Sequence, residues 1–213
     1  MLTEKSATPL AVKIGLLGGS FNPIHQAHLR LALSACDYLQ LDHVQLIPAG
    51  QPWQKQPLQV SAEDRLAMLS LAIAPYPQLQ INPIEIERDG PTYTIETLQS
   101  LPKGPQYYWL MGSDQLNNFC TWRAWQDIIR YVQLVVVQRP GHDIQIPVAL
   151  QEELTRLEQN LLFMPFAELA ISSTQIRQKL QEKQDVSTLV PTPVLDYIQQ
   201  HGLYINHGSA PKI

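Results

Sequence analysis

Charge is scarce in this chain. Of 213 residues, 15 are Lys or Arg and 19 are Asp or Glu, 16 % in all, against roughly 25 % in an average soluble protein. Twenty-four glutamines make up the difference. The formal net charge is −4 and no window gathers a block of basic residues. The phosphate-neutralising stripe that general nucleic-acid binding needs is therefore missing, although a local site for one anionic group requires only a few donors. Cysteine is scarcer still: Cys36 and Cys120 stand alone, with no C-x-x-C and no His pair at zinc-finger spacing. That excludes a disulfide scaffold and makes a reducing compartment the expectation. No apolar stretch approaches the ~20 residues that span a bilayer. The N-terminus carries Glu4 early and lacks a long apolar run, so no signal peptide is expected. What is plentiful is ordinary apolar residue, 45 % of the chain, which excludes intrinsic disorder. The expectation is a soluble, cytoplasmic protein with neither a membrane nor a nucleic acid as partner. Its length suits a single domain over residues 1–213, with the core at about 12–204 and a flexible tail at 205–213.

Short β-rich runs alternate with helical patterns. Val12 to Leu17 reads as a strand closed by Gly18-Gly19, followed by a helical repeat from His25 to Leu39. His43 to Ile47, Gln80 to Glu87, Tyr107 to Met111, Gln133 to Gln138 and Leu162 to Pro165 read as further strands. Helices are expected at Ala62 to Ala74 behind a Ser61/Asp64 capping box, at Tyr93 to Ser100, at Trp122 to Arg130, from Ser172 or Ser173 to about Gln181, and at Thr192 to Gln200. This alternation predicts an α/β fold with a doubly wound, mostly parallel sheet. Ligands in such folds sit at the carboxyl ends of the strands, near the point where strand order reverses.

The loop after the first strand, G-G-S-F-N-P-I-H-Q-A-H at residues 18–28, carries the most chemistry. Two glycines let a ligand approach the backbone, and the helix start offers N–H groups and a positive dipole end to an anion. Neither G-x-G-x-x-G nor G-x-x-x-x-G-K-[ST] is present, which excludes the dinucleotide-oxidoreductase fingerprint and the P-loop. His25 and His28, three residues apart at the helix start, can donate hydrogen bonds to phosphoryl oxygens and stabilise charge that grows in a transition state. No third residue at metal-ligand spacing accompanies them, so no protein metal site is expected.

That loop resembles the G-G-[ST]-F-[DN]-P-[IVP]-H-x-[GA]-H signature of the nucleotidyltransferase superfamily, with Ala27 at the usual glycine position. I-S-S-T-Q-I-R at Ile171 to Arg177 resembles its second motif. Six further blocks resemble the superfamily's bacterial nicotinate-nucleotide adenylyltransferases: I-P-A-G-Q-P-W-Q-K (47–55), R-D-G-P-T-Y-T-I-E-T-L (88–98), M-G-S-D-Q-L (111–116), T-W-R-A-W (121–125), Q-R-P-G (138–141) and L-V-P-T-P-V-L-D-Y-I-Q-Q-H-G-L-Y (189–204). The resemblance implies adenylyl transfer from ATP, accompanied by Mg²⁺, to nicotinate mononucleotide. It assigns catalysis to His25, His28 and Arg177. ATP binding falls to those three with Gly18, Gly19, Ser20, Phe21, Gly112, Asp114, Ile171, Ser172 and Ser173. Mononucleotide binding falls to Asn22, Lys55, Thr92, Trp122, Arg123 and Arg139. An N-cap role competes for Asp114, a core position is expected for Trp125, and Trp53 stays open between a substrate lid and packing. The competing functions are a related adenylyltransferase acting on nicotinamide mononucleotide or phosphopantetheine, and a non-catalytic nucleotide-binding module.

Overall fold

The computed structural model describes residues 11–52, 60–88, 90–138, 144–167 and 171–205. The chain opens with β1 (Lys13–Gly19), α1 (Gln26–Leu39), β2 (His43–Pro48), β3 (Gln51–Pro52), α2 (Ala62–Ile73) and β4 (Leu79–Ile81). It then crosses the sheet through β5 (Pro91–Thr92) and α3 (Thr94–Ser100) to β6 (Gln106–Gly112). There follow α4 (Ser113–Asn118), a 3-10 turn (Phe119–Thr121), α5 (Trp125–Tyr131), β7 (Val132–Gln138), α6 (Val148–Arg156), β8 (Leu162–Pro165), α7 (Ser173–Gln181) and α8 (Thr192–Gln200).

Six strands form one parallel sheet in the order β4-β2-β1-β6-β7-β8, and β3 pairs with β5 in a separate two-stranded parallel sheet. Order reverses between β1 and β6, whose pairing aligns Leu16 with Trp109. This is the doubly wound α/β fold expected from the alternation. Because side chains alternate across a strand, each central strand feeds two cores. Leu17, Leu46, Leu110 and Val135 pack with Ala32 of α1, Met68 of α2, Ile176 of α7 and Val194 of α8 on one face. Leu16, Ile47, Trp109 and Val136 pack with Leu98 of α3, Ile128 of α5 and Leu150 of α6 on the other. Each buried Leu, Ile, Val or Met side chain among these is worth about 1.5–3 kcal/mol relative to exposure, so the double coverage fixes the sheet and, with it, the loops at its carboxyl edge. No helix among the described residues is long and apolar enough to cross a membrane.

Two elements differ from expectation. The strand expected at Gln80 to Glu87 ends at Ile81. Pro83 has no N–H for a ladder, Asn82 Oδ1 accepts the Ile84 N–H at 3.2 Å, and the Pro83 carbonyl accepts from Ile86 and Glu87, so the chain turns instead. The helix expected at Trp122 to Arg130 starts only at Trp125, because Ala124 adopts a left-handed conformation at φ 51° that no helix can pass through. The two-residue strands β3 and β5, and the helices α4 and α6, had no separate place in the sequence pattern. The expected flexible tail from 206 onward lies outside the described residues, as do residues 1–10.

Gly50 shows how closely the small sheet is joined to the main one. A Cβ there would lie 2.1 Å from the Glu85 carbonyl oxygen, a backbone atom with no freedom to retreat. Gly50→Ala should cost about 2 kcal/mol or more through overpacking, read as a thermal midpoint lowered by roughly 4–8 °C. An unchanged midpoint would show that this junction gives way freely.

Candidate active site

A cavity of about 640 Å³ opens at the carboxyl edge of the sheet where β1 and β6 part. Its walls come from Gly18 and Gly19 at the end of β1 with Ser20 and Asn22 beyond it, from His25 and His28 at the start of α1, from Gly112 at the end of β6 with Ser113 to Gln115 of α4, and from Ile171 to Thr174 with Arg177 around the start of α7.

The loop from Gly19 to Pro23 is held by its carbonyl oxygens. The Gly19 oxygen accepts from the Ala49 N–H at 2.8 Å. The Ser20 oxygen accepts from Arg65 Nη1 at 3.0 Å, the Asn22 oxygen from Arg177 Nη1 at 2.8 Å, and the Pro23 oxygen from Ser173 Oγ at 3.0 Å. The Tyr204 hydroxyl adds a bond of 2.7 Å to Asn22 Oδ1, and the Gln26 N–H bonds the Leu189 carbonyl at 2.9 Å. Phe21 turns back under the loop in a left-handed conformation, φ 43°, and is 1 % exposed. A Cβ on Gly19 would press on its ring at 3.1 Å, which is why glycine stands there. The resemblance places Phe21 among the ATP-binding residues. It lies beneath the cavity and meets the His28 ring edge-on at 5.0 Å.

His25 is the N-cap of α1 and His28 its third helical residue, positions that face each other across the first turn. Their rings stack with centroids 3.7 Å apart and an interplanar angle of 23°. His28 Nδ1 accepts the His25 backbone N–H at 3.3 Å, so a neutral His28 ring carries its proton on Nε2. His25 is 4 % exposed and its Nδ1 is buried without a hydrogen-bond partner. Burial pushes its imidazole down from the ordinary 6.5 to about 4, so the stack holds a neutral ring at physiological pH.

Across the cavity, Ser172 caps α7, its Oγ accepting the Gln175 N–H at 3.2 Å while Gln175 Oε1 accepts the Ser172 N–H at 3.1 Å. The side chains of Ser172 and Ser173 are thus committed to the helix end and the facing loop. Arg177 bonds Thr174 Oγ1 at 3.2 Å as well as the Asn22 carbonyl. Asp114 lies inside the first turn of α4, whose N-cap is Gly112, and not at the cap itself. A Cβ on Gly112 would meet Asp114 Oδ1 at 2.6 Å.

The residues assigned to the mononucleotide fall into two groups. Asn22 lines the cavity. Thr92, Trp122 and Arg123 lie beyond its walls, on the face of the sheet covered by α3 and α5. Trp109 links the two regions: its ring underlies Gly18, 3.2 Å from where a Cβ would be, and Trp122 packs edge-on against it at 6.2 Å. Trp122 and Trp125 are both half-buried against Phe119 rather than core residues proper. The Arg123 guanidinium pairs with Glu96 at 3.0 Å and lies 4.6 Å from the centre of the Tyr93 ring. Arg88 shares the same Glu96 carboxylate at 3.5 Å. Lys55, Arg139 and Trp53 lie outside the described residues.

Two buried polar residues were not anticipated. Glu85, 8 % exposed, accepts the Thr97 hydroxyl at 2.9 Å and also bonds Thr92; burial raises its carboxyl above the usual range. Arg65 is 2 % exposed beneath Ser20. Arg65 had a signal, since it falls in phase with Met68, Leu69 and Ala72 on the buried stripe of α2. Glu85 had none, because its partners come from separate segments.

The chain from residue 16 to 179 matches the family described as Cytidylyltransferase-like. A probable nicotinate-nucleotide adenylyltransferase of Bordetella parapertussis is 54 % identical over 192 residues, covering 90 % of this chain and 98 % of that one. Its counterpart in Dehalococcoides mccartyi is 40 % identical over 200 residues, covering 92 % and 98 %. Among solved structures, the Plasmodium falciparum nicotinic acid mononucleotide adenylyltransferase complexed with NaAD shares the fold, with a TM-score of 0.71 at 18 % identity over 91 % of this chain and 97 % of that one.

The depressed His25 value has a definite consequence for stability. The unfolded chain takes up this proton near pH 6.5 and the folded chain only near 4. The contribution is therefore complete above 6.5, falls as pH drops toward 4, and amounts to about 3 kcal/mol over that interval. Urea unfolding from pH 7 to 4 should show a steeper loss in the native protein than in His25→Gln; parallel profiles would mean that the imidazole is not held neutral.

Proposed function

As the chain belongs to the cytidylyltransferase-like family, and within it to the nicotinate-nucleotide adenylyltransferases, we propose that its described cavity receives the phosphates of ATP for transfer of the adenylyl group to nicotinate mononucleotide. The observation that carries this reading is the convergence of two helix starts, α1 and α7, with His25, His28 and Arg177 on one cavity. Helix starts present N–H groups and positive dipole ends, the environment that polyphosphates need. We assign residues 12–204 to one catalytic domain and place the protein in the cytoplasm.

In this reaction the mononucleotide's phosphate oxygen forms a bond to the α-phosphorus while the bond from that phosphorus to the β-phosphate bridging oxygen breaks, and pyrophosphate departs with the electron pair. The attacking phosphate, with a second pKa near ~6, is largely ionised at neutral pH, so no side chain need remove a proton. The work left to the protein is alignment and stabilisation of charge on the departing pyrophosphate. His28 offers Nε2–H as a donor, and His25 offers a ring N–H without a charge of its own. Donors already fixed in place need no reorganisation as the charge develops. Arg177 adds a full positive charge at the start of α7 while anchoring the Asn22 carbonyl. Gly18 and Gly19 let the nucleotide approach the backbone.

Adenylyl transfer from ATP generally uses a divalent ion, and Mg²⁺ is the ion we propose. Among the described residues no group of three or more His, Cys, Asp or Glu could hold a metal. Asp114, at the cavity wall, fits an ion that arrives on the triphosphate and keeps most of its waters. When bound, that ion neutralises phosphate oxygens.

For the acceptor, Trp122 supplies a ring face for the pyridine, and backbone N–H groups near Thr92 and Arg123 meet the carboxylate. Arg88 and Arg123, which meet on the Glu96 carboxylate, supply the cationic groups of this wall, and a nicotinate carboxylate gains from such groups what a neutral amide does not. Pyrophosphate release should be faster with nicotinate mononucleotide than with nicotinamide mononucleotide or phosphopantetheine; preference for either of the others would overturn the acceptor assignment. His28→Ala should lower turnover by about 10²- to 10³-fold with the fold retained, as followed by the same assay alongside circular dichroism.

A further inference from the structure

Arg65 is the buried charge that the mechanism above does not use. It is 2 % exposed, in the first turns of α2 among Met68, Leu69 and Ala72. Its Nη1 bonds the Ser20 carbonyl at 3.0 Å, and its Nε is buried with no hydrogen-bond partner. No carboxylate among the described residues lies within ion-pair distance of it. The acids nearest in sequence give it no partner: Glu63 acts only at longer range, and Asp64 is occupied by the Ser61 and Tyr197 hydroxyls at 2.9 Å each. Burying a guanidinium without a counter-charge is costly, and a residue of similar volume without the charge would pack on the same stripe at less cost.

The cost has a rationale in what lies above. Ser20 is part of the cavity wall, and among the described lining residues Arg177 and Asp114 cancel in formal charge while His25 is neutral. A polyphosphate entering that cavity brings several negative charges, against which Arg177 is the one permanent cation among the described lining residues. We propose that Arg65 is a positioning residue for the polyphosphate: it fixes the Ser20 carbonyl from below, and its uncompensated charge is completed by the bound polyanion. The low-dielectric packing around it shields this charge little, so its field reaches the cavity without direct contact. This inference rests on the cavity being the ATP phosphate site.

A mere strut under the loop would serve every ligand of the cavity equally, whereas a counter-charge serves only the anionic ones. Calorimetric titration of the full chain with inorganic triphosphate, ATP and adenosine separates the two. In Arg65→Met, binding of triphosphate and ATP should weaken about 30-fold and that of adenosine by less than about twofold, with the unliganded melting midpoint within about 5 °C of the native value. Arg65→Lys should restore most of the lost affinity. Undiminished triphosphate binding in Arg65→Met, an equal loss for adenosine, or failure of Arg65→Met to fold would each overturn the proposal. If the native protein binds neither ATP nor triphosphate, the functional reading itself falls and this inference falls with it.

Discussion

The site depends on one constraint: the carbonyl oxygens of the loop after β1 must be occupied by the protein itself. Four of the five carbonyls from Gly19 to Pro23 accept from the Ala49 N–H, Arg65, Arg177 and Ser173. A peptide carbonyl is the negative end of a dipole, and an uncommitted row of them beside a phosphate would oppose binding. Bonded to donors from β2's exit, α2 and α7, they become the means by which three separate parts of the chain hold one loop. The loop's rigidity is thus inseparable from the packing of those elements against the sheet.

The same clamp accounts for the state of the histidines. With the loop fixed, His25 has its N-cap position and its burial imposed on it, and His28 stacks on it from one turn along the helix. Two charged rings at 3.7 Å would repel; burial removes the problem by keeping His25 unprotonated. In the reaction proposed above the pair acts through oriented N–H donors, with cationic charge supplied separately by guanidinium groups. Where the acceptor is proposed to bind, Glu85 has an analogous structural part, tying Thr92 of the small sheet to Thr97 of α3, while Trp109 joins that region to the glycine turn.

Local signals were legible where one element carries them. The strand boundaries at His43 and Leu162, the Ser61 cap, and the helix from Thr192 to Gln200 follow from patterns of a few residues, and the structure has them. Gln80 to Glu87 misled because alternating Ile and Glu read as a strand while Asn82-Pro83 imposed a turn. Trp122 to Arg130 misled because nothing local announces that Ala124 will take a left-handed conformation. In the site, the glycines, imidazoles and Arg177 stood out by residue type and spacing. Phe21 was indistinguishable from its neighbours as a ligand contact, since only the fold shows that it turns beneath the loop.

The chain's own order of residues determined the α/β alternation, the position of the glycine–histidine loop after the first strand and the chemical kind of its donors, because each is encoded within a single strand, turn or helix. Tertiary structure alone decided that Arg177 and Ser173 would grip residues some 150 positions earlier, that Arg65 would lie beneath Ser20, and that His25 would be neutral. Those outcomes depend on distance through space and on exclusion of water, neither of which exists until the sheet has brought its carboxyl-end loops together and the helices have covered them.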